Sequence, residues 1–228
     1  MKSTVRSSAI AGLSIFTLTA LACTLSLLQV PTLPAAATQR ALPAVPTAPV
    51  LPSAQTMFQV TLPEPLGAGE AAALSILDEV TGLSLNPQLY PMQALDNLTY
   101  TATLALPYGA VVRYRYVRLG SEQTPEDSTL NEPIRYRLYY VAGQAEVKDL
   151  IAGWSDRSDT TQTGSIEGRV LNVDTGAAIP DILVTAAGER SFTDSAGRFN
   201  LEGLVPGTHN LVAYATDGTF TFRNVKGL

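Results

Sequence analysis

The segment from Gly164 to Gly218 constrains the fold more than any other part of the chain. Short alternating runs are punctuated there by Asp174-Thr175-Gly176, Ala187-Gly188-Glu189, Ser195-Ala196-Gly197 and Val205-Pro206-Gly207. Turn chemistry repeated at such short intervals leaves no room for helices and dictates strands closed by tight bends, the pattern of a small antiparallel sandwich. Strands are expected over Ser165–Asn172, Ala178–Ala186 and Thr208–Ala215. A hairpin is expected over Phe192–Phe199, with Gly197 supplying a positive φ at its bend. Pro180 sits near a strand start, where its missing N–H does least harm.

The N-terminus has a different character. Lys2 and Arg6 precede an uncharged run from Ile10 to Val30, and Ala35-Ala36-Ala37 offers a small-residue cleavage site. This is the pattern of an apolar signal helix for export. Its length also suits a retained membrane anchor, so residues 1–37 read as signal peptide or anchor. Cys23 is the only cysteine. Ala20 stands where a lipoprotein signal carries Leu and the apolar run continues past Cys23, so a chance residue is preferred to a lipid anchor. The exported part then has no disulfide and depends on core burial. Proline recurs every few residues from Pro31 to Gln55. Residues 38–55 therefore read as an extended linker that cannot bury a core.

A first folded unit is expected over residues 56–156, a polar linker over 157–163, and a second unit over 164–228. In the first unit Phe58–Leu62 alternates. Ala71–Glu79 is open between helix and strand, with strand favoured by its neighbours. Leu98–Leu106 puts Leu98, Tyr100, Ala102, Leu104 and Leu106 on one face and threonines on the other. Ala110–Leu119 and Ile134–Val141 follow, joined by a polar loop holding Glu122, Glu126, Asp127 and Glu132. Within each strand the arginines alternate with apolar residues. Arg113, Arg115, Arg135 and Arg137 are thus expected on one outer face, solvated and balanced by carboxylates, with an anion- or sugar-binding surface as the alternative. The fold class is all-β: two tandem antiparallel β-sandwich modules.

The run VVRYRYVRLG, the acidic loop, IRYRLYYV and the closing Trp154-Ser155-Asp156 resemble the starch-binding (family 20) carbohydrate-binding modules and related immunoglobulin-like early-set domains. The resemblance covers roughly Met57 to Asp156 and implies an aromatic platform for sugar rings. The chain departs from the family in two ways. Its single tryptophan, Trp154, matches the buried closing position, and the family's Asn-Arg pair is replaced by Ile134-Arg135. Tyr90, Tyr108 and Tyr139 remain as candidate carbohydrate-binding platforms, with sandwich packing as the alternative for each.

The second unit resembles the carboxypeptidase regulatory-like domain, a transthyretin-like sandwich. The resemblance rests on Gly168, Val170, Gly176, Ile179-Pro180-Asp181, Val184, Thr193-Asp194, Gly197, Phe199, Leu204 and Pro206-Gly207. It implies a non-catalytic accessory module. Such domains continue through two more strands, and Thr219–Leu228 supplies one, so the chain is expected to be a fragment of a longer protein.

Chemistry is sparse. His209 is the only histidine and is expected to pack in the sandwich, so nitrogen- and sulfur-ligated metal sites and a Ser-His-Asp triad find no donors. Paired carboxylates for glycoside hydrolysis and a phosphate-binding loop are not recognisable. Asp174, Asp194 and Asp217 are read as turn formers rather than calcium ligands. A net charge of -5 without a basic stripe argues against nucleic acid. The expectation is an exported, non-enzymatic accessory protein without cofactor, secreted or at the cell surface. It would bind a polysaccharide or cell-envelope glycan and touch membrane only through residues 10–30 if these are retained. Two other readings are the N-terminal non-catalytic region of a larger secreted hydrolase and a structural spacer without ligand.

Overall fold

The structure is a computed structural model that describes residues 52–77, 86–130, 132–156, 162–219 and 223–225, the last three by backbone alone. These residues belong to one compact unit, Ala48–Leu228. The expected signal or anchor, Cys23, most of the proline-rich linker, the last residues of the Ala71–Glu79 segment and most of the 157–163 linker lie outside the described residues. Every regular element described is a strand.

The first sandwich contains β1 (Ser53–Thr61), β2 (Ala71–Ile76), β3 (Gln88–Pro91), β4 (Gln93–Ala94), β5 (Thr99–Pro107), β6 (Val111–Leu119), β7 (Gln123–Asp127), β8 (Arg137–Tyr140), β9 (Ala145–Leu150) and β10 (Gly153–Trp154). One sheet runs β4-β5-β1-β9; the other runs β10-β7-β6-β2-β3, with β8 also on β6. β1 starts at Ser53, so the last residues assigned to the extended linker are already in a strand. β1 runs parallel to β9 while its other neighbour, β5, is antiparallel. The sandwich is therefore not purely antiparallel. Ala71–Ile76 is a strand, as favoured.

Alternation explains the core. Ala54, Thr56, Phe58 and Val60 of β1 point inward and are buried, as are Leu104 and Leu106 of β5. Phe58 meets Tyr114 edge-on at 5.0 Å and Tyr139 at 6.0 Å, and Tyr114 meets Tyr116 at 5.9 Å. Contacts of this geometry contribute about 0.5–1.5 kcal/mol each beyond area burial. Trp154 is buried at the closing position, with the Arg118 guanidinium 5.6 Å from its ring centre. Arg118 also binds Glu70 and Asp156.

The second sandwich contains β11 (Gly164–Arg169), β12 (Ile182–Ala186), β13 (Glu189–Phe192), β14 (Arg198–Leu204), β15 (Leu211–Ala215) and β16 (Arg223–Val225). β11 pairs β14, and a four-stranded sheet runs β13-β12-β15-β16. The bend at Ser195-Ala196-Gly197 forms as expected: Asp194 Oδ1 accepts the Ala196 and Arg198 N–H groups, and Gly197 has φ 71°. The expected hairpin does not form there, because β13 and β14 belong to different sheets. The bend instead carries the chain across the core. The hairpin is β12–β13, turned by Ala187 (φ 51°) and Gly188 (φ 89°).

The two sandwiches share an apolar junction. Leu138 of β8, Leu183 of β12 and Val212 of β15 are buried together, flanked by Val111, Tyr136 and Tyr214. Asn210 Nδ2 donates to the Lys148 carbonyl at 2.6 Å, and Thr129 Oγ1 donates to the Gly203 carbonyl. A β-carbon on Gly188 would lie 2.6 Å from Ile134 Cγ2. Gly188→Ala thus combines a left-handed backbone with overpacking against the first sandwich. It is expected to cost about 2–4 kcal/mol in urea unfolding. An unchanged midpoint would show that Ile134 yields freely.

Candidate functional site

Strand register, which alternation alone does not give, decides where the charges go. β6 and β8 pair with Tyr114 opposite Arg137, Arg113 opposite Leu138 and Val112 opposite Tyr139. Arg113 and Arg137 therefore lie on opposite faces, and the expected solvated four-arginine face does not exist. Arg137 points into the first sandwich and is 2 % exposed.

Two carboxylates and two tyrosines meet it there. Arg137 Nε donates to Glu126 Oε1 at 3.0 Å and Nη2 donates to Oε2 at 2.6 Å. Nη1 reaches Asp149 Oδ1 at 3.3 Å, and Nη2 also donates to the Leu150 carbonyl at 2.8 Å. Tyr114 and Tyr116 each donate a hydroxyl proton to Asp149 Oδ2 at 2.8 Å. Glu126 Oε1 accepts the Tyr116 N–H at 2.9 Å, and Arg137 lies 5.5 Å from the Tyr116 ring centre. Burial first, and then Asp149, hold both phenols well above the usual tyrosine range. Burial alone would lower the guanidinium; Glu126 and Asp149 outweigh it and raise it. Glu126, expected in a polar loop, is 0 % exposed on β7.

Buried carboxylates beside an arginine are a frequent mark of catalysis, but this group is sealed. The adjoining void, lined by Arg137, Ile134, Leu150, Glu189 and Gly203 among others, has a volume of about 10 Å³. That is at most one water. With each charge held by several hydrogen bonds and no room for substrate, the group is built as a structural clasp.

The three candidate platforms are in different settings. Tyr139 is 4 % exposed and its ring packs on Phe58, because its register opposite Val112 turns it inward. It has no face to offer a sugar, and the platform expectation fails for it. Tyr108 stands 59 % exposed at the β5–β6 turn. Tyr90, on β3, is half-buried, and its hydroxyl donates to Gln88 Oε1 at 2.8 Å.

Tyr90 lines a groove of about 320 Å³ with Pro91, Gln93, Thr101, Ala102, Thr103 and Leu104. The groove follows from a change of sheet. Met92 is buried between β3 and β4, its N–H bonded to the Ala72 carbonyl, and it passes the chain from one sheet to the other. β4 is two residues long and pairs Thr101 and Tyr100. Past Thr101, β5 has no partner on that side among the described residues, so its backbone edge faces the groove. The lining is uncharged, with one phenol ring, an amide and two threonine hydroxyls.

The remaining sequence candidates fill structural places. His209 is buried, with Nε2 2.6 Å from the Val205 carbonyl. Asp217 Oδ1 accepts the Thr219 N–H and hydroxyl, bonds that lower its pKa. The Asp174 N–H is held by Asn172 Oδ1 at 2.9 Å. Among the described residues no three His, Cys, Asp or Glu side chains are grouped to hold a metal.

No family model and no curated protein matches the sequence. Among solved structures, the chain is similar to a glycoside hydrolase family 15 glucoamylase from Hypocrea jecorina, at 20 % identity and TM-score 0.34. That match covers 44 % of this chain and 17 % of the glucoamylase. A DUF3823 family protein from Bacteroides ovatus ATCC 8483 matches at 7 % identity and TM-score 0.27, over 77 % of this chain and 97 % of that one. Neither likeness is close enough to bear on the function of this chain.

Two outcomes test the electrostatics. Arg137→Met leaves Glu126 and Asp149 buried without their counter-charge and is expected to cost about 3–5 kcal/mol in urea unfolding at pH 7. A loss under 1 kcal/mol would mean the clasp is weak. Glu189, half-buried, has its pKa raised by burial and then by Glu132, against Arg190 and Arg137. A carboxyl raised on folding opposes stability above its folded pKa, and the opposition disappears once both states are protonated. Glu189→Gln should therefore raise Tm at pH 7, with the gain shrinking to nothing below about pH 4. A gain that persists at low pH would point to packing.

Proposed function

We propose that this protein is an exported, non-catalytic accessory protein that binds a neutral glycan through the groove beside Tyr90. The observation that carries the reading is the uncharged lining around a single half-buried aromatic ring. Neutral sugars present apolar ring faces and a rim of hydroxyls. Tyr90 and Pro91 suit the first; Gln93, Thr103 and the open backbone edge of β5 suit the second. The sealed state of the Arg137 group supports a role without catalysis. The apolar run at residues 10–30 supports export, and the resemblance of residues 56–156 to starch-binding modules supports a glucan as the first ligand to try.

Affinity electrophoresis of the folded protein in gels carrying soluble starch, hydroxyethyl cellulose or glycol chitin tests this. Retardation is expected in at least one gel, and Tyr90→Ala is expected to weaken it about tenfold, the equivalent of about 1.4 kcal/mol. Tyr108→Ala should leave it unchanged. Free migration in all three gels, or full binding by the Tyr90 variant, would overturn the proposal.

A further inference from the structure

The second sandwich is open at one end. Where β11 and β15 finish and β12 begins, two adjoining hollows of about 340 and 420 Å³ share Asn172, Ile179, Ile182 and Thr219 and form one trough. Its floor is the margin of the core. Val170, Ile179 and Ala213 pack against the buried cluster that holds Ile182 and Ala215, yet are themselves only half-buried. Beside the floor, Leu171 and Val173 stand 47 % and 86 % exposed. A contiguous apolar strip rimmed by polar groups marks an interaction surface.

The rim is acidic. Asp174 borders one hollow, Asp181 and Asp217 the other, and all three are exposed. Among the described residues no lysine or arginine lines either hollow, and none of the three carboxylates forms an ion pair. Asp217 Oδ1 accepts the Thr219 N–H and hydroxyl, which fixes that carboxylate. Asn172 Oδ1 accepts the Asp174 and Thr175 N–H groups and so fixes the turn that carries Asp174. The Asp181 N–H donates to the Thr193 carbonyl. An apolar floor with a carboxylate rim complements side chains that are aliphatic along their length and cationic at the tip, which is the form of lysine and arginine.

We infer that this trough docks an extended basic segment of a partner protein. Lysine or arginine stems lie along Val170, Ile179 and Ile182, their charged ends reach Asp174, Asp181 and Asp217, and an apolar residue of the segment covers Leu171 and Val173. The net charge of -5 adds a longer-ranged attraction for such a partner. The trough shares no residue with the Tyr90 groove and does not rest on the glycan reading.

Fluorescence anisotropy of labelled peptides with the full chain tests it. The peptides are Gly-Lys-Val-Lys-Val-Lys-Gly, the same peptide with glycine for valine, and the same peptide with glutamate for lysine. The first should bind, the second about tenfold more weakly for want of valine burial, and the third not at all. Raising NaCl from 50 to 300 mM should weaken the first severalfold without abolishing it, because apolar contacts are not screened. Asp174→Asn with Asp181→Asn should weaken it about fivefold. Asparagine tolerates the left-handed backbone of Asp181 (φ 58°), so the fold is kept. Val173→Ser, at an exposed position, should weaken it severalfold and serves if the double variant is unstable. Tyr90→Ala, and Glu122→Gln in the β6–β7 turn, should bind as the parent does. The inference is overturned if the lysine–valine peptide does not bind, if the lysine–glycine peptide binds as tightly, or if Glu122→Gln weakens binding as much as the aspartate pair.

Discussion

Arg137 is the point on which the first sandwich turns. A guanidinium cannot enter a protein interior alone, and the cost of stripping its water is repaid only by good geometry. Glu126 from β7, Asp149 from β9, the Leu150 carbonyl and the Tyr116 ring provide that geometry. Tyr114 and Tyr116 add two hydroxyl protons to Asp149, spreading the second negative charge. Strands from both sheets are thereby held at fixed heights. An apolar core tolerates sliding; a bidentate ion pair does not. The group thus contributes alignment as much as stability, and the void beside it leaves no room for a substrate.

The same strand shapes the other face. Because β8 turns Arg137 and Tyr139 inward, Leu138 and Tyr136 must point outward, where an exposed apolar face would be a liability. The second sandwich covers Leu138 with Leu183 and Val212. Glycines 188, 203 and 207 lie at this junction, beside Ile134, Leu130 and Leu150. Two modules that read as separate beads are consequently joined by buried contacts.

What was legible in the sequence follows the range of the chemistry involved. The bend at Asp194–Gly197 is local, written in an aspartate and a glycine three residues apart, and it forms as read. The alternation of β1 and β5 is also local and correctly separates core from solvent. Pairing register is not local. Nothing within IRYRLYYV states that Arg137 will stand opposite Tyr114, so the arginine face and the Tyr139 platform both failed at the same step. The acidic loop failed likewise, since a glutamate destined for burial looks like any other until its partner is placed. The Tyr90 groove depends on β4 stopping after two residues, and that too is a matter of pairing. The bend at Ser195 was found, but its role in joining two sheets required knowing the partners of β13 and β14.

The parallel contact of β1 with β9 has a consequence for the order of events in folding. Phe58 and Val147 are neighbours in space but about ninety residues apart in the chain. β1 can take β5 as its partner early, yet its other edge stays open until β9 has been made. Loop closure over such a distance is slow compared with hairpin formation. A chain emerging N-terminus first therefore presents an incomplete sheet for the whole synthesis of β2 to β8. Asp149 and Leu150, which complete the Arg137 clasp, arrive on the same strand that closes this edge. Closing the sheet and neutralising the buried charge are one step.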